Sequence, residues 1–176
     1  MAVFVVLLRA IGPVTHKLMS MAQWRAAAEA DGFGNPQTYV ATGNMIVAAD
    51  ATAAQVTARM DAIVSKLGLG PGNKAVVRTA TQLQALVRAA PFPEAIGQRP
   101  SEIGVYFFVG ERPDFGWITG YVGLERIHIE GEHLIVDYAG RGSASRLPGI
   151  IEKKSGVVTA RNWNTLRGLA ERAGAR

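Results

Sequence analysis

The chain has 176 residues, 48% hydrophobic and 19% charged, proportions that exclude a disordered polymer and allow one large domain or two small ones. It contains no cysteine, which excludes a disulfide framework, a thiolate metal site and a thiol nucleophile; the expected setting is a reducing cytoplasm. The net charge of +5 is unevenly placed: residues 141–176 carry eight basic and two acidic side chains, +6, against −1 for the first 140. The last fifth of the chain is therefore where an anionic partner would be met.

Residues 2–9 are a near-continuous apolar run, as expected for a central strand covered on both faces. The run is too short to span a membrane and has no basic region ahead of it, so neither a signal peptide nor a membrane span is expected. A loop follows over 11–18. Ser20 and Gln23 form a capping box, with Met19 and Trp24 as a hydrophobic staple, and open a helix striped by Met21, Trp24 and Ala28 and closed by Gly32. Two short strands over 38–41 and 45–48 flank Gly43-Asn44, a two-residue hairpin turn. Thr52 and Gln55 cap a helix striped by Val56, Met60, Ile63, Val64 and Leu67, and residues 75–78 make a fourth strand. This order is β-α-β-β-α-β, a ferredoxin-like plait over residues 1–78.

Thr79 and Gln82 form a third capping box, for a helix ended by Pro91 and Pro93; 91–101 is a connecting segment and 103–109 an apolar strand. Residues 113–121 suggest a short helix. The runs 124–129 and 133–138 alternate and predict a hairpin about Gly131-Glu132, with Arg126 opposite Asp137 and Glu130 opposite His133. A short helix over 148–154 ends at Gly156. The last helix is expected to start at Thr159 as N-cap, stapled by Val158 and Trp163 and striped by Trp163, Leu166, Ala170 and Ala173. Residues 79–176 thus form a second α+β layer.

Candidate chemistry gathers in the basic segment. Arg161 in a first helical turn, beside free backbone N–H groups and Asn164, makes a place for a phosphate or carboxylate; it equally suits a pairing with an internal carboxylate. The loop 140–145, with Arg141, Ser143 and Arg146 after it, has glycines that let N–H groups approach a phosphate. It lacks the lysine-plus-hydroxyl ending of a P-loop and the dinucleotide fingerprint, and a plain surface connection explains it too. His128 and His133 have no third ligand at a suitable spacing, so no metal is expected. There is no G-x-S-x-G elbow and no H-E-x-x-H motif. Tyr106, Phe107 and Phe108 suit either the stacking platform of a plait-fold RNA binder or a buried strand. No motif names a cofactor.

The run Thr159-Ala160-Arg161-Asn162-Trp163-Asn164-Thr165 resembles the closing T-A-R-N-W-N-T motif of the bacterial family known as domain of unknown function 1697. Leu7 to Ile11 resembles its opening L-L-R-G-I-N. Tyr39 to Val47 resembles its Y-x-x-S-G-N-V-x-F hairpin, with Thr42 for serine. Val77-Arg78-Thr79 resembles its V-R-S step, and Gly142 to Leu147 and Glu152-Lys153 its G-x-S-x-L and E-K elements. The family loop after the first strand is rich in asparagine and glycine; here it is Gly12-Pro13-Val14-Thr15-His16-Lys17. The resemblance implies an α+β architecture of two ferredoxin-like subdomains with antiparallel sheets, and no activity. The expected function is binding of an anionic, phosphate-bearing small ligand or nucleotide by Arg9, Asn44, Arg141, Ser143, Arg146, Lys153, Arg161 and Asn164. A nucleic-acid binder and an enzyme on a phosphorylated substrate, with Glu152 or His16 as acid or base, remain open beside it.

Overall fold

A computed structural model describes residues 1–110 and 112–176. The chain divides into two compact units, Met1–Gln84 with Gly168–Arg176, and Ala85–Arg167. The division differs from a boundary at 78/79 in that the start of one helix and the end of the last one group with the first unit.

In the first unit, β1 (Ala2–Leu8), β2 (Gly34–Thr38), β3 (Asn44–Ala49) and β4 (Ala75–Thr79) form an antiparallel sheet of order β2-β3-β1-β4, the ferredoxin-like order. The alternation along β1 sends Phe4, Val6 and Leu8 into a core with Trp24 and Ala28 of α2 (Met21–Ala30) and Val56, Met60, Ile63 and Val64 of α3 (Ala53–Lys66). Val5 and Leu7, on the opposite face, are fully buried too, which explains the unbroken apolar run. Both helices start at the expected capping boxes: the Ser20 Oγ accepts from the Gln23 N–H at 3.1 Å, and the Thr52 Oγ1 from that of Gln55 at 3.2 Å.

Three local expectations are corrected. The 11–18 loop contains a short helix, α1 (Pro13–Leu18), begun by Pro13 and by a Thr15 hydroxyl bonded back to Gly12. The second strand lies at 34–38, not 38–41: Pro36 is tolerated because β2 is an edge strand, and Val40 leaves the extended region at φ 49°. The hairpin turn is correspondingly longer than Gly43-Asn44. Thr38 pairs with Met45, and Asn44 belongs to the strand.

In the second unit, β5 (Ile103–Phe108), β6 (Arg126–Glu130), β7 (His133–Asp137) and β8 (Val158–Asn162) form an antiparallel sheet of order β6-β7-β5-β8. Counted from its own first strand this is the order of the first sheet, so the plait is built twice. A 3-10 turn over Gly116–Gly120 stands between the first two strands, and α6 (Leu147–Ser155) between the last two. The β6–β7 register is the predicted one, Arg126 opposite Asp137 and Glu130 opposite His133. α4 (Ala80–Ala89) starts at its Thr79–Gln82 capping box, and the proline-rich connection holds α5 (Pro93–Gln98).

The strand β8 overturns the expected helix start. Residues 158–162 pair with β5, Thr159 opposite Phe107 and Arg161 opposite Val105. The last helix, α7 (Trp163–Gly174), begins four residues later, with the Asn162 Oδ1 accepting from the Thr165 N–H at 2.9 Å. Thr159 caps nothing: the apparent Val158–Trp163 staple was strand alternation running into a helix. Without that fourth strand the second sheet could not have closed the plait. Trp163 and Leu166 are buried, as the stripe required.

Candidate anion-binding cleft

The end of β7 fixes the loop that carries the cleft. The Asp137 carboxylate is 1% exposed and accepts from Arg99 Nη1 at 2.5 Å, Arg126 Nη2 at 2.6 Å and the Ala139 N–H at 2.9 Å. Burial alone would raise this carboxyl. The hydrogen bonds from Arg99, Ala139 and Arg126, with the Arg99 charge, outweigh it and hold the group well below the usual carboxylate range. Ala139, Gly140 and Gly142 then take positive φ, and the loop closes on itself: the Arg141 N–H donates to the Tyr138 carbonyl at 2.9 Å and the Ala144 N–H to the Arg141 carbonyl at 2.9 Å. The Ser145 Oγ accepts from the Leu147 N–H and starts α6, whose Leu147 and Ile151 are buried. That orientation leaves Arg146 exposed.

The facing wall is residues 114–125. Trp117 Nε1 donates to Ser155 Oγ at 2.8 Å, and that hydroxyl donates to the Asp114 carbonyl at 2.6 Å, which ties the 3-10 turn to α6. Tyr121 packs edge-on to Trp117, and its hydroxyl donates to Glu125. Gly123 is required here because a Cβ would lie 2.8 Å from the Tyr121 Cζ. Burial, then the hydrogen bond to Glu125 and its charge, push the Tyr121 phenol up to about 12, so it remains a donor at neutral pH.

Between these walls lies a cleft of about 500 Å³, lined by Arg141 and Arg146 from the loop and the start of α6, by Tyr121 to Glu125 from the facing wall, and by Ile150. Glu125 is 5% exposed in its side chain and sits 3.2 Å from Arg141 Nε. The Arg146 guanidinium has no hydrogen-bond or ion-pair partner among the described residues. Two arginines against one carboxylate leave the cleft one positive charge in excess. One cation is oriented by an internal acid and the other is available.

The sequence-predicted residues fall into distinct places. Arg141 and Arg146 are brought together in the cleft, and Ser143 lies exposed in the turn between them. Lys153 is exposed in the last turn of α6 and does not line the cleft. Asn164 is exposed on α7, its Oδ1 accepting from Arg167 Nη2 at 3.0 Å. Arg161 is 9% exposed on the face of β8 opposite Val105, with Nη1 donating to Thr159 Oγ1 at 2.6 Å and the Ala160 carbonyl at 2.9 Å; burial pushes its guanidinium down to about 10. It is therefore not the first-turn arginine the helix reading required. In the first unit, Asn44 is fully buried, and its Nδ2 donates to the Tyr39 carbonyl and Thr42 Oγ1. Arg9 Nη1 reaches the Gly72 carbonyl at 3.4 Å. Among the described residues, no group of three or more His, Cys, Asp or Glu side chains could hold a metal ion, and no helix is long and apolar enough to cross a membrane.

Tyr121, Val122, Leu124, Glu125 and Ile150 escaped the sequence reading. Leu124 had been absorbed into the alternation of the next strand, which starts only at Arg126. The available signal was Glu125 itself, a carboxylate followed by a basic, glycine-rich loop.

Fold and cleft together define a twice-built ferredoxin-like α+β protein with a basic, partly apolar cleft in its second unit. Residues 1–121 match the family model described as "Protein of unknown function (DUF1697)", and the chain belongs to that family. Among solved structures it is similar to the conserved bacterial protein SP0830 from Streptococcus pneumoniae, with a TM-score of 0.75 at 14% identity, covering 98% of each chain. This likeness extends the shared fold through the second unit. No curated protein matches the chain.

Proposed function

We propose that the protein binds an anionic, phosphate-bearing small ligand in the cleft of the second unit, in a bacterial cytoplasm. The observation that carries this reading is Arg146. It is an arginine without an internal partner, on the rim of a formed cleft, beside a second arginine whose orientation is already set. A guanidinium held by a carboxylate through Nε keeps its outer nitrogens for a second acceptor, and two such groups suit phosphate oxygens. Cleft volume falls in the range used by small-molecule sites.

The test is a thermal-shift series with inorganic phosphate, sugar phosphates and nucleotides on the wild-type chain and on Arg141→Ala and Arg146→Ala. Stabilisation of the wild type that both variants lose supports the reading. Equal responses from all three proteins would remove it. The exposed Lys153, Lys154 and Arg167 favour nucleic acid as a second reading. That reading requires binding to a mixed-sequence oligonucleotide that falls steeply with salt.

A further inference from the structure

The cleft's surroundings say what the anion is attached to; this step rests on the anion-site reading above. Apart from its two arginines, the cleft is lined by Tyr121, Val122, Leu124 and Ile150, by Gly123, and by Glu125. Val122 is 94% exposed and Leu124 67%, two large apolar side chains held out in water at the cleft's edge. Among the described residues, Glu125 is the one side-chain carboxylate or amide lining it, and both its oxygens are engaged, one by the Tyr121 hydroxyl and one by Arg141. A ribose or hexose body would therefore give up water at several hydroxyls in return for little more than the spare acceptor positions of the Tyr121 hydroxyl and the Glu125 carboxylate, the arginines being occupied by the phosphate. A hydrocarbon body would instead remove Val122, Leu124 and Ile150 from water.

We infer that the cleft takes a phosphate monoester of an apolar alcohol or phenol in preference to a sugar phosphate or a nucleotide. Arg141 and Arg146 hold the phosphate, and the Val122–Leu124 edge with Ile150 covers the body. Gly123 between the two apolar residues lets the Tyr121 ring fold back against the chain and keeps the edge open.

Calorimetric titration of the full chain with inorganic phosphate, phenyl phosphate and ribose 5-phosphate tests this. Phenyl phosphate should bind about tenfold more tightly than ribose 5-phosphate, the effect of burying one or two methylene equivalents. Leu124→Ser, at a position too exposed to endanger folding, should lower the phenyl phosphate affinity and leave that of inorganic phosphate unchanged. Equal affinities, tighter ribose 5-phosphate, or binding of inorganic phosphate alone would overturn the apolar-body inference and leave the anion site standing. No binding of any of the three to the wild type would overturn both.

Discussion

Arg141 Nε lies 3.2 Å from Glu125 Oε1, and the pair joins the glycine-rich loop to the opposite wall of the cleft. The carboxylate is buried and the guanidinium is half exposed, so the acid orients the cation while leaving it a water-facing side. Glu125 is thus a resident anion that any bound phosphate must share Arg141 with. Replacing it by glutamine keeps an oxygen for the Tyr121 hydroxyl and removes the charge. Glu125→Gln should tighten inorganic phosphate binding by about three- to tenfold at low salt, the loss of one nearby like charge in a partly screened site. It should destabilise the fold by about 1–2 kcal/mol, since a charged hydrogen bond becomes a neutral one. Titration calorimetry and urea unfolding read the two effects separately; weaker phosphate binding by this variant would contradict the arrangement.

Arg146 makes the opposite prediction. Its side chain holds nothing together, so Arg146→Ala should change stability by less than about 0.5 kcal/mol. Anion binding should nevertheless fall by about tenfold or more, the usual worth of a charge-assisted hydrogen bond. Unfolding curves that coincide with the wild type, alongside a lost titration signal, are the expected pair of results.

Asp137 is the buried acid that anchors Arg99, Arg126 and the entry to the loop. Asp137→Asn should cost about 1–3 kcal/mol at pH 7. The cost lies at the lower end for a broken buried pair because Arg99 and Arg126 are 34% and 53% exposed and regain water. The sign with pH follows from the depressed carboxyl. Its contribution is complete above the unfolded value near ~4 and is lost as pH falls through the lower folded value. The stability gap between wild type and variant should therefore be constant from neutral pH to about pH 5 and shrink below about pH 4. Denaturant melts across that range check it; a gap that widens in acid would be incompatible with this pairing.

In the first unit, Gly168 of α7 lies against Tyr39, whose ring is stacked under Arg172 at 4.1 Å. A methyl at residue 168 would stand 2.6 Å from the Tyr39 Cζ. Gly168→Ala alone should destabilise by about 1–3 kcal/mol through overpacking. In a Tyr39→Ala background the same change should stabilise by up to about 1 kcal/mol, because only the helix preference for alanine remains. Thermal melts of the four proteins give the cycle, and additivity would contradict the contact.

Much of the fold was legible because it depends on local patterns. Ser20–Gln23, Thr52–Gln55 and Thr79–Gln82 announced three helix starts, and alternation around Gly131 gave the β6–β7 register residue by residue. The fourth strand of the second sheet was hidden: in Val158–Asn162, the buried residues are the polar Thr159 and Arg161, on the sheet face shared with Phe107 and Val105, and a period-two pattern with a buried arginine does not announce a strand. The repetition of the plait was implied by the family resemblance, whereas the element order alone gave only a second α+β layer. Gly116–Gly120 stands where the first unit has a helix, so the two halves share strand order without sharing an element pattern. Half of the candidate site was legible, since charge and glycine content pointed to 141–146. Its facing wall was not, because Tyr121–Glu125 acts through a turn and one tyrosine–carboxylate bond, neither of which has a sequence period.

The central claim is that an anion binds between Arg141 and Arg146. An amide chemical-shift titration of the isotopically labelled chain with phenyl phosphate tests it most directly. The account predicts saturable shifts confined to residues 121–125 and 141–150, and absent in Arg146→Ala. Saturable shifts centred elsewhere, or none in that segment at millimolar ligand, would contradict it.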